Sequence, residues 1–367
     1  MEPFKNEFNK SFTQKLGALL KQHDHTFDLK KFESSIFNEH WEKRELKDRM
    51  RHISVMIFEN TSLEYLAQLK IMVLIADQFS GLPSMTFPDY VEVHGLDFIE
   101  ESLDALEHFT KFSSSEFAIR PFIKQNEKLA MTRMLTWSKN SSEHVRRLSS
   151  EGCRPRLPWA MALPSFKNDP NLVVEILENL RSDDSLYVRK SVANNLNDIT
   201  KDNPALALNL AEKWYGQNEL TNWIVKHGLR TLLKKGNERA LQIIGFDFNA
   251  KFSVMDLSLS KTKPRIGESF NFSFEVQNLE AKKVTAKIGF VVSYMKSNGK
   301  QSDKIFHISE AEFESKKPKK YNKKLSFKDL STRKHYPGNH QISVVVNGFD
   351  LAKKEFELLE FQDSQKN

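Results

Sequence analysis

Between His144 and Leu163 the chain reads H-V-R-R-L-S-S-E-G-C-R-P-R-L-P-W-A-M-A-L. One carboxylate, Glu151, stands among four arginines, Arg146, Arg147, Arg154 and Arg156, and Trp159 follows two prolines. Guanidinium forks match phosphate oxygens, so the arginines suit a polyanion. An acid inside a phosphate grip weakens it and is hard to justify in a pure binder, so Glu151 points to chemistry. On local grounds plainer readings stand beside this one: Glu151 as an exposed acid before a helix-ending glycine, and Trp159 as ordinary core. Cys153, the only cysteine, is either a nucleophile or an inert filler.

Several other chemistries lack their residues. There is no Gly-rich phosphate loop, no His-Glu-x-x-His, no Gly-x-Ser-x-Gly and no cysteine pair, and the 11 histidines are scattered with no second ligand at metal spacing. ATPase, metallohydrolase and serine-hydrolase functions fall away, and neither metal nor cofactor is expected. A single cysteine excludes an intramolecular disulfide framework and fits a reducing compartment. The N-terminus has no apolar signal core, and the most apolar run, Ile71 to Ala76, is far shorter than a membrane span. A soluble, non-secreted protein is expected.

The elements that must position these residues are helical up to about residue 245. Leu63, Leu66, Ala67, Leu69, Val73 and Leu74 recur at helical spacing, and Asn60-Thr61-Ser62, Ser113-Ser114-Ser115 and Lys139-Asn140-Ser141-Ser142 are helix-start signals. Glu143-His144-Val145-Arg146, Leu186-Tyr187-Val188-Arg189 and Asn222-Trp223-Ile224-Val225 look like one motif repeated at spacings of 43 and 36 residues. Periods near 40 with two helices each predict a HEAT-like solenoid. Its equivalent basic residues, Arg146, Arg189 and Lys226, then either form a phosphate track or tie adjacent helices to acidic neighbours. The helix bearing Arg146 and Arg147 is expected to end with Gly152 as a left-handed cap, and the next to begin near Trp159. Glu116, three residues after Ser113, fits a capping box.

After Gly245 the apolar period changes to two. Phe270, Phe272, Phe274 and Val276 alternate with polar residues, as do Val284, Ala286, Ile288 and Phe290, and Asn298-Gly299 and Asn347-Gly348 are hairpin-type turns. About seven short strands argue an immunoglobulin-like β-sandwich. The expected organisation is a helical-repeat domain over 1–247 followed by a β-domain over 252–361. Charge follows the same division. Residues 250–361 carry 21 Lys and Arg against 13 Asp and Glu, whereas residues 1–249 carry 33 against 34. The basic excess suggests a polyanion partner, nucleic acid ahead of membrane, or else lysines that only solubilise a β-domain.

Together, the segment His144 to Leu163, the block Ser115-Glu116-Phe117-Ala118-Ile119-Arg120-Pro121-Phe122 and the block Phe87-Pro88-Asp89-Tyr90-Val91-Glu92 resemble the AlkC branch of the AlkC/AlkD DNA alkylation-repair glycosylases. The β-domain resembles the immunoglobulin-like domain of many members of that branch. The resemblance implies a monofunctional N-glycosylase of base excision repair. Such an enzyme removes cationic methylated bases, 3-methyladenine and 3-methylcytosine, from double-stranded DNA without rotating them into a closed pocket. It implies no cofactor, membrane or obligate protein partner, and a bacterial-type cytoplasmic location, nucleoid-associated when on DNA.

It also implies roles. Glu116 and Glu151 become the carboxylates that stabilise an oxocarbenium-like sugar and admit water, and Trp159 favours a cationic nucleotide by cation–π attraction of about 0.5 to 2 kcal/mol. Arg146, Arg147, Arg154 and Arg156, then Arg189 and Lys190, become phosphate contacts, and Lys316, Lys317, Lys319 and Lys320, with Lys323 and Lys324, a second grip from the β-domain. The competing expectation is a non-catalytic scaffold that binds nucleic acid or a protein partner on the same fold.

Overall fold

The computed structural model describes residues 3–330 and 333–361. Among them sixteen α-helices precede seven strands. The helices are α1 (Lys10–His23), α2 (Leu29–Ile36), α3 (Leu46–Glu59), α4 (Tyr65–Ile75), α5 (Thr86–His94), α6 (Ile99–Phe109), α7 (Ile119–Gln125), α8 (Glu127–Trp137), α9 (Glu143–Gly152), α10 (Pro164–Asn168), α11 (Asn171–Leu180), α12 (Leu186–Asp202), α13 (Pro204–Trp214), α14 (Glu219–Gly228), α15 (Arg230–Lys234) and α16 (Glu238–Ile243). No helix among the described residues is long and apolar enough to cross a membrane. The chain forms two compact units. One holds the described residues up to Ala207 together with Gly216–Gly228, and the other holds Leu208–Tyr215 and the described residues from Leu229 onward.

In the first unit each helix buries one face. On α4 the buried positions include Tyr65, Leu69, Met72 and Ile75, three and four residues apart, which is the stripe a 3.6-residue period presents to a core. The repeated apolar knobs Val145, Val188 and Ile224 are fully buried, and their helices stack in order, α9 on α12 and α12 on α14. A helix pair of this kind hides its apolar face only by packing on the next pair, which is the logic of the HEAT-like repeat.

Three local expectations need correction. Gly152 is not a left-handed cap: it lies inside α9, which ends on Cys153 at φ −89°. Its lack of a side chain serves packing, because a Cβ there would sit 2.6 Å from Ile119 Cγ2 at the start of α7. The helix expected near Trp159 begins only at Pro164, since residues 153–163 run as an irregular segment fastened by side chains. No capping box forms from Ser113 to Glu116: that stretch is irregular, and α7 begins three residues later.

In the second unit the strands are β1 (Phe252–Leu259), β2 (Ser269–Asn278), β3 (Val284–Met295), β4 (Gln301–Phe313), β5 (Pro318–Ser326), β6 (Gly338–Val346) and β7 (Phe349–Leu358). They form two antiparallel sheets, β1-β2-β5 and β4-β3-β6-β7. The alternating residues of β2, Phe270, Phe272, Phe274 and Val276, meet Ile288, Phe290, Val292, Ile342, Val344 and Val346 of the other sheet in one core. Asn347 and Gly348 both take positive φ in the two-residue turn between β6 and β7, which matches the right-handed strand twist. Gly348 also lies so close to Gly236 that a Cβ would fall 2.6 Å from its Cα.

Candidate active site

Glu116 precedes α7 and Glu151 lies in the last turn of α9, in successive parts of the helical unit. The Gly152–Ile119 contact lets these segments touch, and Arg147 joins their acids. Its guanidinium pairs with a Glu116 oxygen through Nη1 and stands 3.6 Å from Glu151 Oε1 through Nη2. Ser114 Oγ accepts from Arg147 Nη1 at 2.7 Å and donates to Glu116 Oε2 at 2.9 Å. The Arg147 guanidinium also lies over the ring of Tyr187, 5.1 Å from its centroid, on the first turn of α12. Burial would discharge Arg147, but Glu116 and Glu151 outweigh it and hold its pKa above the ordinary value.

The network continues away from Glu116. Arg154 Nη1 donates to Glu151 Oε1 at 2.7 Å, and Arg154 Nε donates to Asp198 Oδ2 of α12 at 2.9 Å. Here too burial opposes the charge and the carboxylates of Glu151 and Asp198 overcome it, raising the pKa. The result is an alternating chain of anions and cations, Glu116, Arg147, Glu151, Arg154 and Asp198, drawn from three successive parts of the solenoid. The two acids are poorly solvated, with side chains 14% and 7% exposed, and the Arg147 guanidinium stands between them.

A third cation holds the loop that carries Trp159. Arg120, fully buried on α7, faces backbone carbonyls: Nη1 donates to Gly152 O at 2.8 Å and Arg154 O at 2.9 Å, and Nε to Met161 O at 2.8 Å. Burial pulls its pKa down to about 10, still far above neutrality. From the other side Lys47 of α3 donates to Trp159 O at 2.9 Å, with its ammonium 4.3 Å from the centroid of the Phe117 ring. Trp159 is therefore not core: its residue is 80% exposed and its backbone sits at φ 61°, a left-handed conformation costly for an aromatic residue.

The remaining expected residues separate. Arg146 plays a structural part, gripping both oxygens of Asp183 and donating to Asn140 O and Ser141 O. Arg189 repeats that pattern one unit later on Asp183 O and Asp184 O. The repeat arginines thus tie helices, while Arg147 and Arg154 face carboxylates and not an open surface. Arg156 is exposed and forks onto Asp202, whose carboxyl it holds below the usual range. Lys190 is exposed on α12, and Lys316, Lys317, Lys319 and Lys320 are exposed at and before the edge strand β5. Cys153 is buried, its pKa pushed up to about 12 by desolvation, which leaves it an inert thiol. Sequence reasoning missed Ser114, Tyr187 and Asp198. Of these only Tyr187 had a signal, since it occupies the repeat position that Trp223 fills in the next motif.

The model of the family described as "DNA alkylation repair enzyme" matches residues 85–232, and that described as "Uncharacterised protein YhaZ, C-terminal Ig-like domain" matches residues 253–360. YhaZ of Bacillus subtilis (strain 168) is 42% identical over 348 residues, covering 95% of this chain and 97% of the relative. Among solved structures, the Pseudomonas fluorescens alkylpurine DNA glycosylase AlkC, bound to DNA containing an abasic site analog, superposes with a TM-score of 0.92 at 36% identity. That match covers 97% of this chain and 99% of that one. With helical repeats, immunoglobulin-like sandwich and both family models in register, the chain belongs to the DNA alkylation repair enzymes, in their AlkC branch.

Proposed function

We propose that this protein is a monofunctional DNA N-glycosylase that excises cationic alkylated bases, 3-methyladenine and 3-methylcytosine, from double-stranded DNA in base excision repair. The observation that carries the reading is the Glu116–Arg147–Glu151 bridge, two poorly solvated acids from different repeats joined by one guanidinium. Likeness to an alkylpurine DNA glycosylase solved on abasic-site DNA supports it.

The chemistry follows from the lesion. A base methylated at a ring nitrogen is a cation, so when the bond from C1′ to that base breaks, the electron pair leaves with the base and the base departs neutral. No general acid is required. The sugar is left as an oxocarbenium-like cation, and a carboxylate facing it stabilises that charge far better in a dry site than in water. Water then forms its bond to C1′ and releases one proton, which Glu116 or Glu151 accepts and passes to solvent. The products are free methylated base and an abasic site. No lysine is used as a Schiff-base nucleophile, so the strand stays intact.

The lesion is read as remaining in the duplex, as the resemblance to the AlkC branch implies. Trp159, exposed and held in place, offers the aromatic face for a cationic nucleotide. Phosphate contacts fall to Arg156 and Lys190 in the helical-repeat domain, read as 1–247, and to Lys316, Lys317, Lys319 and Lys320 in the β-domain, read as 252–361. The test is release of free base from duplexes carrying 3-methyladenine or 3-methylcytosine, comparing wild type with Glu151→Gln. Release by the wild type, and its loss in a variant that still binds DNA, is the expected result; equal release by both removes Glu151 from the mechanism. DNA binding without release by either leaves a scaffold.

A further inference from the structure

Glu151 sits in the last turn of α9, where Arg147 of the same helix stands 3.6 Å from its carboxylate. Both ion pairs reach Oε1, the closer from Arg154 at 2.7 Å and the farther from Arg147 at 3.6 Å, and the Arg154 hydrogen bond is to that oxygen. The atom that aims the carboxylate is therefore Arg154 Nη1. Arg154 lies in the irregular stretch after α9, where one backbone bond, from its N–H to Glu151 O at 3.2 Å, continues the helix end. Its main chain is fastened by Arg120, and its guanidinium by one residue of the next repeat, Asp198, at 2.9 Å. Asp198 is itself constrained. Its side chain is 2% exposed on α12, and its second oxygen receives Lys201 Nζ at 3.0 Å.

We propose that Asp198 is a positioning residue for the reaction, setting Glu151 through Arg154 while touching neither DNA nor the sugar. This rests on the glycosylase reading above. A guanidinium bonded to one acid alone swings about that acid. Bonded on two edges to acids from different repeats, it has one orientation, and the Glu151 carboxylate inherits it. Asp198 thereby ties the last turn of α9 to the interior of α12, and the carboxylate of Glu151 faces one direction.

The test is Asp198→Asn in the full chain, which keeps volume and a hydrogen-bond acceptor but removes the charge that holds Arg154. Three quantities are read: the single-turnover rate of base release at saturating protein, the Kd for duplex DNA carrying an abasic-site analogue, and Tm. The expected result, read at a temperature where the variant is folded, is a rate lowered by about tenfold to a hundredfold, a Kd within twofold of wild type, a lower Tm because a buried ion pair is broken, and partial recovery of rate in Asp198→Glu. A rate equal to wild type overturns the proposal. So does a joint fall of rate and affinity, which is what a merely structural acid produces, or an Asp198→Glu variant no faster than Asp198→Asn. If Asp198→Asn does not fold, Arg154→Lys keeps the charge but cannot bridge two carboxylates, and the same split between rate and affinity decides. A wild type that releases no base fails the glycosylase reading itself, a different result from an active wild type matched by Asp198→Asn.

Discussion

The two compact units treat ionisable groups in opposite ways. The helical unit buries charge and neutralises it in pairs, as in the run from Glu116 through Arg147, Glu151 and Arg154 to Asp198. The sandwich keeps its cations outside, with lysines along and before the edge strand β5, and its buried titratable groups are neutral. His335 and His340 pack among Tyr294, Phe327 and Phe356, and desolvation lowers the pKa of each. The difference teaches where to look for chemistry. A charge displayed to water serves long-range attraction and guards a sheet edge against pairing, whereas a charge withheld from water and matched to an opposite one has a fixed place.

The contrast breaks most sharply at Arg147. Arg147→Ala leaves Glu116 and Glu151 close together without their bridge, and urea denaturation should record a loss of about 3 kcal/mol or more, together with loss of base release. Gly152→Ala attacks the same cluster by volume, forcing a methyl against Ile119. A loss of about 1 to 3 kcal/mol is expected in the same assay, with slower base release as the acids move apart. An unchanged rate would mean that the contact does not set their separation.

In the sandwich the expected effect comes with pH. Each histidine has a folded pKa below its unfolded value of 6.5. The unfolded chain therefore holds more protons as pH falls, so their contribution to stability is full above about pH 6.5 and declines below it. Comparing urea midpoints at pH 7.5 and 5.5, the double variant His335→Phe and His340→Phe should show a smaller acid loss than wild type. The smallest effect belongs to the surface lysines. Replacing Lys316, Lys317, Lys319 and Lys320 with Ala should change stability by less than about 0.5 kcal/mol. In a salt titration of DNA binding it should flatten the slope by about 0.9 for each phosphate contact removed. A large fall in Tm would show that these lysines are structural and undo the comparison.

Local patterns carried most of the architecture. The period-two run of β2 and the 43- and 36-residue spacing of Val145, Val188 and Ile224 each reflect burial on one face, a constraint written residue by residue into the chain. The site was only half legible. Glu151 and its arginines stand together in sequence, but nothing local separates Arg146, which ties two repeats through Asp183, from Arg147 one residue on, which faces the acids. Adjacent residues on a helix point about 100° apart, so neighbours in sequence part company in space. Glu116 was reached by resemblance alone, its local context fitting a helix cap that does not form. Trp159 reads as core from its type, yet Lys47 and Arg120, distant in sequence, hold its loop in the open.

Residue types and spacing by themselves determined that there would be stacked helices and then a sandwich, and that an acid lay among arginines. Such properties depend on burial periodicity and on inventory, both of which a linear chain records. Only the tertiary structure decided which arginine meets which acid, that Gly152 permits a close approach and does not turn the chain, and that Asp198 joins the cluster from 47 residues beyond Glu151. The physical reason is contact: a hydrogen-bonded ion pair needs donor and acceptor within about 3 Å, and the partners that come so close are chosen by how the repeats stack, not by their order along the chain.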